Sequence, residues 1–145
     1  MTKQPLPQPN DLAVGDVVLT RELAFSRDTL VRYAGASGDF NPIHYRDDVA
    51  QSVGLPGVLA HGMLTMGAAI GPVVEWLGDA GWVSDYRVRF TRPVPVDAEA
   101  GAQLSLSAAV GAIDAEAGTA RIDLTVVFDG QTVLGRAQAQ VSFTR

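Results

Sequence analysis

The sequence predicts an α+β fold in which a curved antiparallel sheet wraps one long apolar helix. Three observations predict it. A single stretch, 58–74, is apolar and long enough to cover the inner face of a sheet. After Trp82, four successive runs alternate apolar and polar residues with a period of two, as antiparallel strands covered on one face do. Between the last two runs, Asp129-Gly130 reads as a two-residue hairpin turn. The 145 residues suit one domain, expected over 13–145 behind a flexible lead at 1–12.

Taken in order, Val17, Leu19, Leu23 and Phe25 share one parity and predict a strand. Ser26 is placed to cap a short helix from Arg27 to about Ala36, with Asp28 in its first turn and Leu30, Tyr33 and Ala34 on its buried side. Gly35 and Gly38 are expected to end it. Residues 37–44 form a loop, because Pro42 denies a donor and keeps Asn41 out of the helical region. A second short helix is expected from about Arg46 to Ser52, closed by Gly54. The long helix is placed at 62–77 and expected to be buried on nearly every side. Gly67, Ala68, Ala69 and Gly71 would allow it close to the sheet, and Pro72 would kink or interrupt it.

The alternating runs supply the inner face: Trp82, Tyr86, Val88 and Phe90; Leu104 to Val110; Ala120 to Phe128; then Val133, Gly135, Ala137, Ala139, Val141 and Phe143. A two-residue turn at Asp129-Gly130 pairs residues whose numbers sum to 259, so that Val126 faces Val133, Leu124 faces Gly135 and Ile122 faces Ala137. Inner positions meet inner positions, which a one-residue slip would destroy.

Composition narrows the function. With 11 Lys and Arg against 16 Asp and Glu, the net charge of −5 disfavours general nucleic-acid binding. The absence of cysteine excludes disulfides and thiolate metal sites. The segment MTKQPLPQPND has three prolines and no apolar run, so it reads as neither a secretory signal nor an anchor, and a cytoplasmic address is expected by default. The 58–74 stretch, interrupted by His61, glycines and Pro72, is read as a core helix rather than a membrane span.

The chain has two histidines, His44 and His61. Asp39 and His44 share the loop bent by Gly38 and Pro42, and their side chains can converge on one small volume. A carboxylate beside an imidazole suits proton transfer near neutral pH, although the same pair also serves simply to fix a loop. His61-Gly62 stands where the chain enters the long helix, whose free amides and dipole suit a developing oxyanion at Gly62. His61 itself reads as a capping or core histidine bonded to backbone. Two histidines without a local carboxylate pair are a poor ligand set, so no metal is expected. No nucleophile motif or phosphate-binding glycine loop occurs. A base, a carboxylate and oxyanion donors together point to chemistry alpha to a carbonyl, especially that of a thioester.

The stretch YAGASGDFNPIHYRDDVA at 33–50 resembles the hydratase-2 motif of the MaoC-like, (R)-specific enoyl hydratases and dehydratases. AHGMLTMG at 60–67 and VRFTRPVPV at 88–96 resemble the family's other landmarks in the same order. Within the family the chain is most similar to the catalytic B subunits of mycobacterial-type (3R)-hydroxyacyl-ACP dehydratases. The resemblance implies a hot-dog fold and reversible addition of water across a trans-2-enoyl thioester, carried on phosphopantetheine of ACP or CoA with no other cofactor. It implies that Asp39 and His44 act as the catalytic pair, that the Gly62 N–H polarises the thioester oxygen, and that Asn41 and Ser37 brace the loop. It also implies a homodimer, or a heterodimer with a homologous hot-dog subunit. Arg87, Arg89 and Arg92 are candidates to meet the phosphopantetheine phosphate or an acidic carrier, against the plainer reading of a solvated strand face.

Three activities compete: dehydration of (3R)-hydroxyacyl-ACP in fatty-acid elongation, (R)-specific hydration of enoyl-CoA, and hot-dog thioester hydrolysis. A non-catalytic acyl-binding subunit is a fourth reading, disfavoured by the intact Asp39 and His44 motif.

Overall fold

The computed structural model describes residues 7–144. Within the expected lead at 1–12, a single 3-10 turn spans Pro9–Asp11, Leu12 packs partly against the core, and 1–6 lie outside the described residues. Strand β1 is Val17–Phe25, helix α1 Arg27–Ser37, helix α2 Asp47–Ser52 and helix α3 Gly62–Leu77. The sheet continues with β2 Gly81–Phe90, β3 Ala102–Asp114, β4 Thr119–Phe128, the short β5 Gln131–Thr132 and β6 Leu134–Phe143. Its order is β1-β3-β4-β6-β2, antiparallel throughout, with β5 paired to β4.

Local chemistry accounts for the helix ends. Ser26 accepts from the Thr29 N–H while Thr29 returns a bond to the Ser26 N–H, a complete capping box. Gly35 lies inside α1 rather than ending it, and Gly38 alone closes the helix in the left-handed region at φ +76°. That reversal delivers the chain into the loop carrying Asp39 and His44.

Helix α3 lies against the sheet through Thr65, Ala69, Val73 and Leu77, one residue per turn. The expectation of burial on nearly every side fails: Met63 is 58% and Val74 52% exposed. The expected close approach of Gly67 and Gly71 fails too, since a Cβ at either would meet nothing within 4 Å. Pro72 does not interrupt the helix, which runs through to Leu77. Packing on the sheet side and the Tyr86 hydroxyl, which donates to the Met66 carbonyl at 3.2 Å, hold the segment against the lost backbone bond. Burial pushes the Tyr86 hydroxyl up to about 12 and keeps it a donor. Among the described residues no helix is long and apolar enough to cross a membrane.

Two strands depart from strict parity. A register irregularity between Val17 and Leu19 turns Val17 to solvent and leaves Val18 and Leu19 half-buried. Irregularities at Val83/Asp85 and Arg87/Arg89 likewise put Val83 against the core and expose Trp82 and Phe90. The β3 and β4 faces follow the sequence pattern, with Leu104, Leu106, Ala108, Val110, Ala120, Ile122, Leu124 and Val126 all buried.

The hairpin is correct at its tip and shifted beyond it. Asp129 and Gly130 both have positive φ, +49° and +70°, and Val127↔Thr132 and Phe128↔Gln131 obey the sum of 259. The ladder between β4 and β6 instead pairs Leu124 with Ala137, Ile122 with Ala139 and Ala120 with Val141, a sum of 261. Two extra residues are taken up around Arg136, itself at φ +48°, where the chain leaves β4 and Leu134 and Gly135 pair with Phe90 and Arg89 of β2. The even shift keeps Ala137, Ala139, Val141 and Phe143 inside, whereas at the irregularity Gly135, expected inside, is half-exposed and Leu134, expected outside, is buried.

Ile122 is fully buried at the centre of this face. Ile122→Ala is expected to lower stability by about 2–5 kcal/mol, read from urea unfolding, and a loss below ~1 kcal/mol would contradict its place in the core.

Candidate active site

The loop at 37–44 is built by its own polar side chains. The Ser37 hydroxyl accepts from the Asp39 N–H at 3.2 Å, Asp39 Oδ1 accepts from the Asn41 N–H at 3.1 Å, and Asn41 Oδ1 accepts from the Ile43 N–H at 3.2 Å. Asn41 thereby caps the 3-10 turn Pro42–His44 and sets His44 facing inward. Ser37 and Asn41 occupy the bracing positions read from the sequence.

Residues 58–60 run beside this loop. The Leu59 N–H donates to the Ile43 carbonyl at 3.1 Å, the Ala60 N–H to Val94 at 2.9 Å, and the Val96 N–H to Val58 at 2.9 Å. Arg27 pins the far end: it grips Asp47 with two nitrogens at 2.9 and 3.0 Å and donates through Nε to the Val96 carbonyl at 2.6 Å. Asp47 Oδ1 also accepts from the Val58 N–H. These bonds, Arg27 first and then Val58, hold the Asp47 carboxyl below the usual carboxylate range.

His44 is nearly buried and its Nδ1 lies 2.8 Å from the Leu59 carbonyl. A carbonyl only accepts, so the proton sits on Nδ1 and Nε2 presents its lone pair. Asp39 Oδ2 lies 3.9 Å from Nε2, too far for a direct hydrogen bond and close enough for one oxygen atom to bond both. The Asp39 side chain is 52% exposed and reaches water.

His61 precedes Gly62 and is 2% exposed. Its ring stacks on His44 with centroids 3.8 Å apart and planes 19° apart, and Tyr33 meets it edge-on at 4.8 Å. Its Nε2 bonds the Asp39 backbone carbonyl at 3.1 Å, and its side chain does not cap α3. The reading of a core histidine bonded to backbone therefore agrees with the geometry. Burial first, then the neighbouring His44, pushes the His61 imidazole below the ordinary histidine value, against the opposing effect of the Asp39 carbonyl bond.

His44, Gly62 and Thr65 line a cavity of about 340 Å³ with Phe90, Arg92 and Leu134 among its other walls. Among the described residues no hydrogen bond uses the Gly62 N–H, which opens α3 with the positive end of the helix dipole behind it. A Cβ at Gly62 would stand 3.1 Å from the Phe90 ring, so the backbone is free to meet a ligand only while this residue stays small. Sequence reasoning missed Thr65 and Phe90 as wall residues. Thr65 was recoverable, since three residues beyond Gly62 returns to the same helix face; Phe90 depends on the strand irregularity.

The three arginines separate. Arg87 is exposed and paired to Asp85 at 2.8 Å, Arg89 is exposed on the edge strand, and Arg92 alone lines the cavity. Asp39, His44 and His61 offer ligand atoms within 4.8 Å of one another. Each histidine already spends one nitrogen on a backbone carbonyl, which leaves one imidazole nitrogen apiece beside the Asp39 carboxylate.

The family described as MaoC like domain matches residues 9–128. The 3-hydroxyacyl-thioester dehydratase X of Mycobacterium tuberculosis (strain ATCC 25618 / H37Rv) is 43% identical over 70 residues, 48% of this chain and 24% of that protein. A solved MaoC-like dehydratase superposes with TM-score 0.89 at 36% identity over 96% of this chain and 43% of its own. An R-hydratase from Pseudomonas aeruginosa gives TM-score 0.78 at 25% identity, over 95% of this chain and 86% of its own. The chain thus spans about a quarter of the curated relative and less than half of the first of these structures.

The depressed His61 value carries a stability consequence. As pH falls below about 6.5, the unfolded chain gains a proton at His61 that the folded chain resists, so stability falls. Urea midpoints between pH 8 and pH 5 are expected to drop more steeply for the native sequence than for His61→Phe; parallel slopes would contradict the buried neutral imidazole.

Proposed function

The chain belongs to the MaoC like domain family, and we propose that it interconverts (3R)-hydroxyacyl and trans-2-enoyl thioesters by removing and adding water. One observation carries the proposal: a lone-pair-bearing His44 Nε2, 3.9 Å from the Asp39 carboxylate, shares a cavity with the unpaired Gly62 amide. A relative named a 3-hydroxyacyl-thioester dehydratase and a solved structure named an R-hydratase support the same class of reaction.

In the hydration direction a water oxygen bridges His44 Nε2 and Asp39 Oδ2. The enoyl thioester lies in the cavity with its oxygen toward the Gly62 N–H. As the water oxygen bonds C3, the C2–C3 π pair moves toward C2 and negative charge builds on the thioester oxygen. The Gly62 N–H and the helix dipole stabilise that charge. The pair takes one proton from the water and returns one to C2, so the addition is neutral overall. Dehydration is the reverse. Asp39 and His44 interact closely enough that the proton steps belong to the pair. Leu59 holds the ring's tautomer, and Ser37 and Asn41 hold the carboxylate. No metal or redox group is required, and the substrate arrives as a phosphopantetheine thioester.

ACP is proposed as the carrier, in the manner of the B subunits the sequence resembles, with CoA as the alternative. Arg92, which lines the cavity where Arg87 and Arg89 do not, is proposed to meet the phosphopantetheine phosphate. A dimer with a second copy or a homologous hot-dog subunit is part of the proposal. Its support is the edge strand β2 with exposed Trp82 and Phe90, beside the open face of α3. A cytoplasmic address belongs to the same reading.

Hydration of a trans-2-enoyl-CoA, followed by loss of enoyl absorbance, is expected to fall at least ~100-fold in Asp39→Asn and in His44→Ala. Both folded variants keeping full rate would overturn the assignment, and release of free thiol would instead identify a thioesterase. Equal-length ACP and CoA thioesters are expected to differ in kcat/KM in favour of ACP, and Arg92→Ala to lower kcat/KM for both, since both carry the phosphopantetheine phosphate. A preference for CoA would replace the carrier reading.

A further inference from the structure

The proposed chemistry uses His44 and leaves the chain's other imidazole without a task. His61 is the more deeply buried of the two, and it touches all three parts of the site. Its Nε2 is 3.1 Å from the backbone carbonyl of Asp39, its ring lies flat on His44, and its own carbonyl carbon is bonded to the Gly62 nitrogen. The α3 residues that follow receive the chain from it: the Leu64 and Thr65 N–H groups both donate to the His61 carbonyl at 3.1 and 3.2 Å. Tyr33 closes the remaining side of the ring edge-on.

The hydrogen bonding also dictates the ring's protonation. The Asp39 carbonyl accepts only, so His61 Nε2 carries the proton. Nδ1 is then the lone-pair nitrogen, and it is buried with no hydrogen-bond partner among the described residues. A proton added there would be a buried cation with no acceptor, stacked on a second imidazole. The titratable groups around it are Asp39, His44 and Tyr33. The two stacked rings consequently hold opposite tautomers, Nε2–H for His61 and Nδ1–H for His44.

We infer that His61 is a positioning residue, a neutral imidazole that locks the Asp39 backbone and the His44 ring in one geometry relative to the Gly62 amide. It touches no reacting atom. It acts by refusing two motions: the Asp39 loop cannot lift away without abandoning a buried N–H, and the His44 ring cannot turn about its own axis without losing the stack. A displacement of about 1 Å at either group is enough to cost on the order of 100-fold in rate. The inference rests on the hydratase and dehydratase reading above.

Two substitutions separate the donor from the ring. His61→Gln keeps an amide N–H near the Nε2 position and loses the stack, whereas His61→Phe keeps the stack and loses the donor. In enoyl-CoA hydration His61→Phe is expected to lower kcat about 10- to 100-fold with KM changed less than about threefold, and His61→Gln to recover part of that loss, the remainder reflecting the lost stack. A folded His61→Phe at native kcat overturns the inference. So does a His61→Gln no better than His61→Phe.

Should His61→Phe fail to fold, imidazole nitrogen NMR on the native protein decides, because only two histidines contribute. Nε2–H for His61 and Nδ1–H for His44 at pH 7 support the inference; Nδ1–H or a charged ring at His61 overturns it. Asp39→Asn and His44→Ala run beside these as controls. If they retain activity, the reaction assignment has failed; if they lose it while His61→Phe does not, only the positioning role has.

Discussion

The site depends on one short bond, from His44 Nδ1–H to the carbonyl of Leu59 at 2.8 Å. It sets the tautomer, turns Nε2 toward Asp39 and fastens the loop to the strand-like segment that leads into α3. That segment is itself committed on both sides, to Ile43 and to Val94, so the carbonyl is not free to move. Arg27 and Asp47 complete the bracket from the far end, joining the start of α1, the start of α2 and residues 58 and 96. Hydrogen bonds thus join loop, segment and helix entry, while further cavity walls come from α3, β2 and β6.

The electrostatics follow from where each group sits. Asp39 stays half in water, while both imidazoles are withdrawn into the packing beneath it. Gly62 is an exposed residue at the cavity wall, and its amide stands at the positive end of a sixteen-residue helix. An oxygen that gains charge there is stabilised by fixed dipoles that need no rearrangement. Arg92 adds a cation at the cavity wall of a chain whose net charge is negative.

The irregular end of the sheet is part of the same construction. At the hairpin tip the two-residue turn pairs residues as its chemistry requires, and beyond it two further residues are absorbed around Arg136. Val133 still bonds Val126 of β4, Leu134 turns to pair with Phe90, and both residues line the cavity. Phe90 in turn packs on Gly62. A strand defect thus becomes one side of the binding space.

What the sequence determined by itself was local or periodic. The Ser26 cap, the Gly38 stop, the bounds of α3, the faces of β3 and β4 and the Asp129-Gly130 turn were all legible, because each follows from backbone preference or a repeat within a few residues. The proximity of Asp39 and His44 was legible for the same reason, since five residues of constrained loop leave little room to part. Tertiary structure alone decided the rest. A shift of two residues keeps the ladder residues beyond it on their faces, so their alternation cannot detect it, and the crossing from β4 to β2 with the buried Leu134 shows it. Pro72 was overruled by the packing of α3 on the sheet. The partner of His44, the stack with His61 and the wall of Phe90 join residues brought together by the closed fold, where proximity along the chain carries no information.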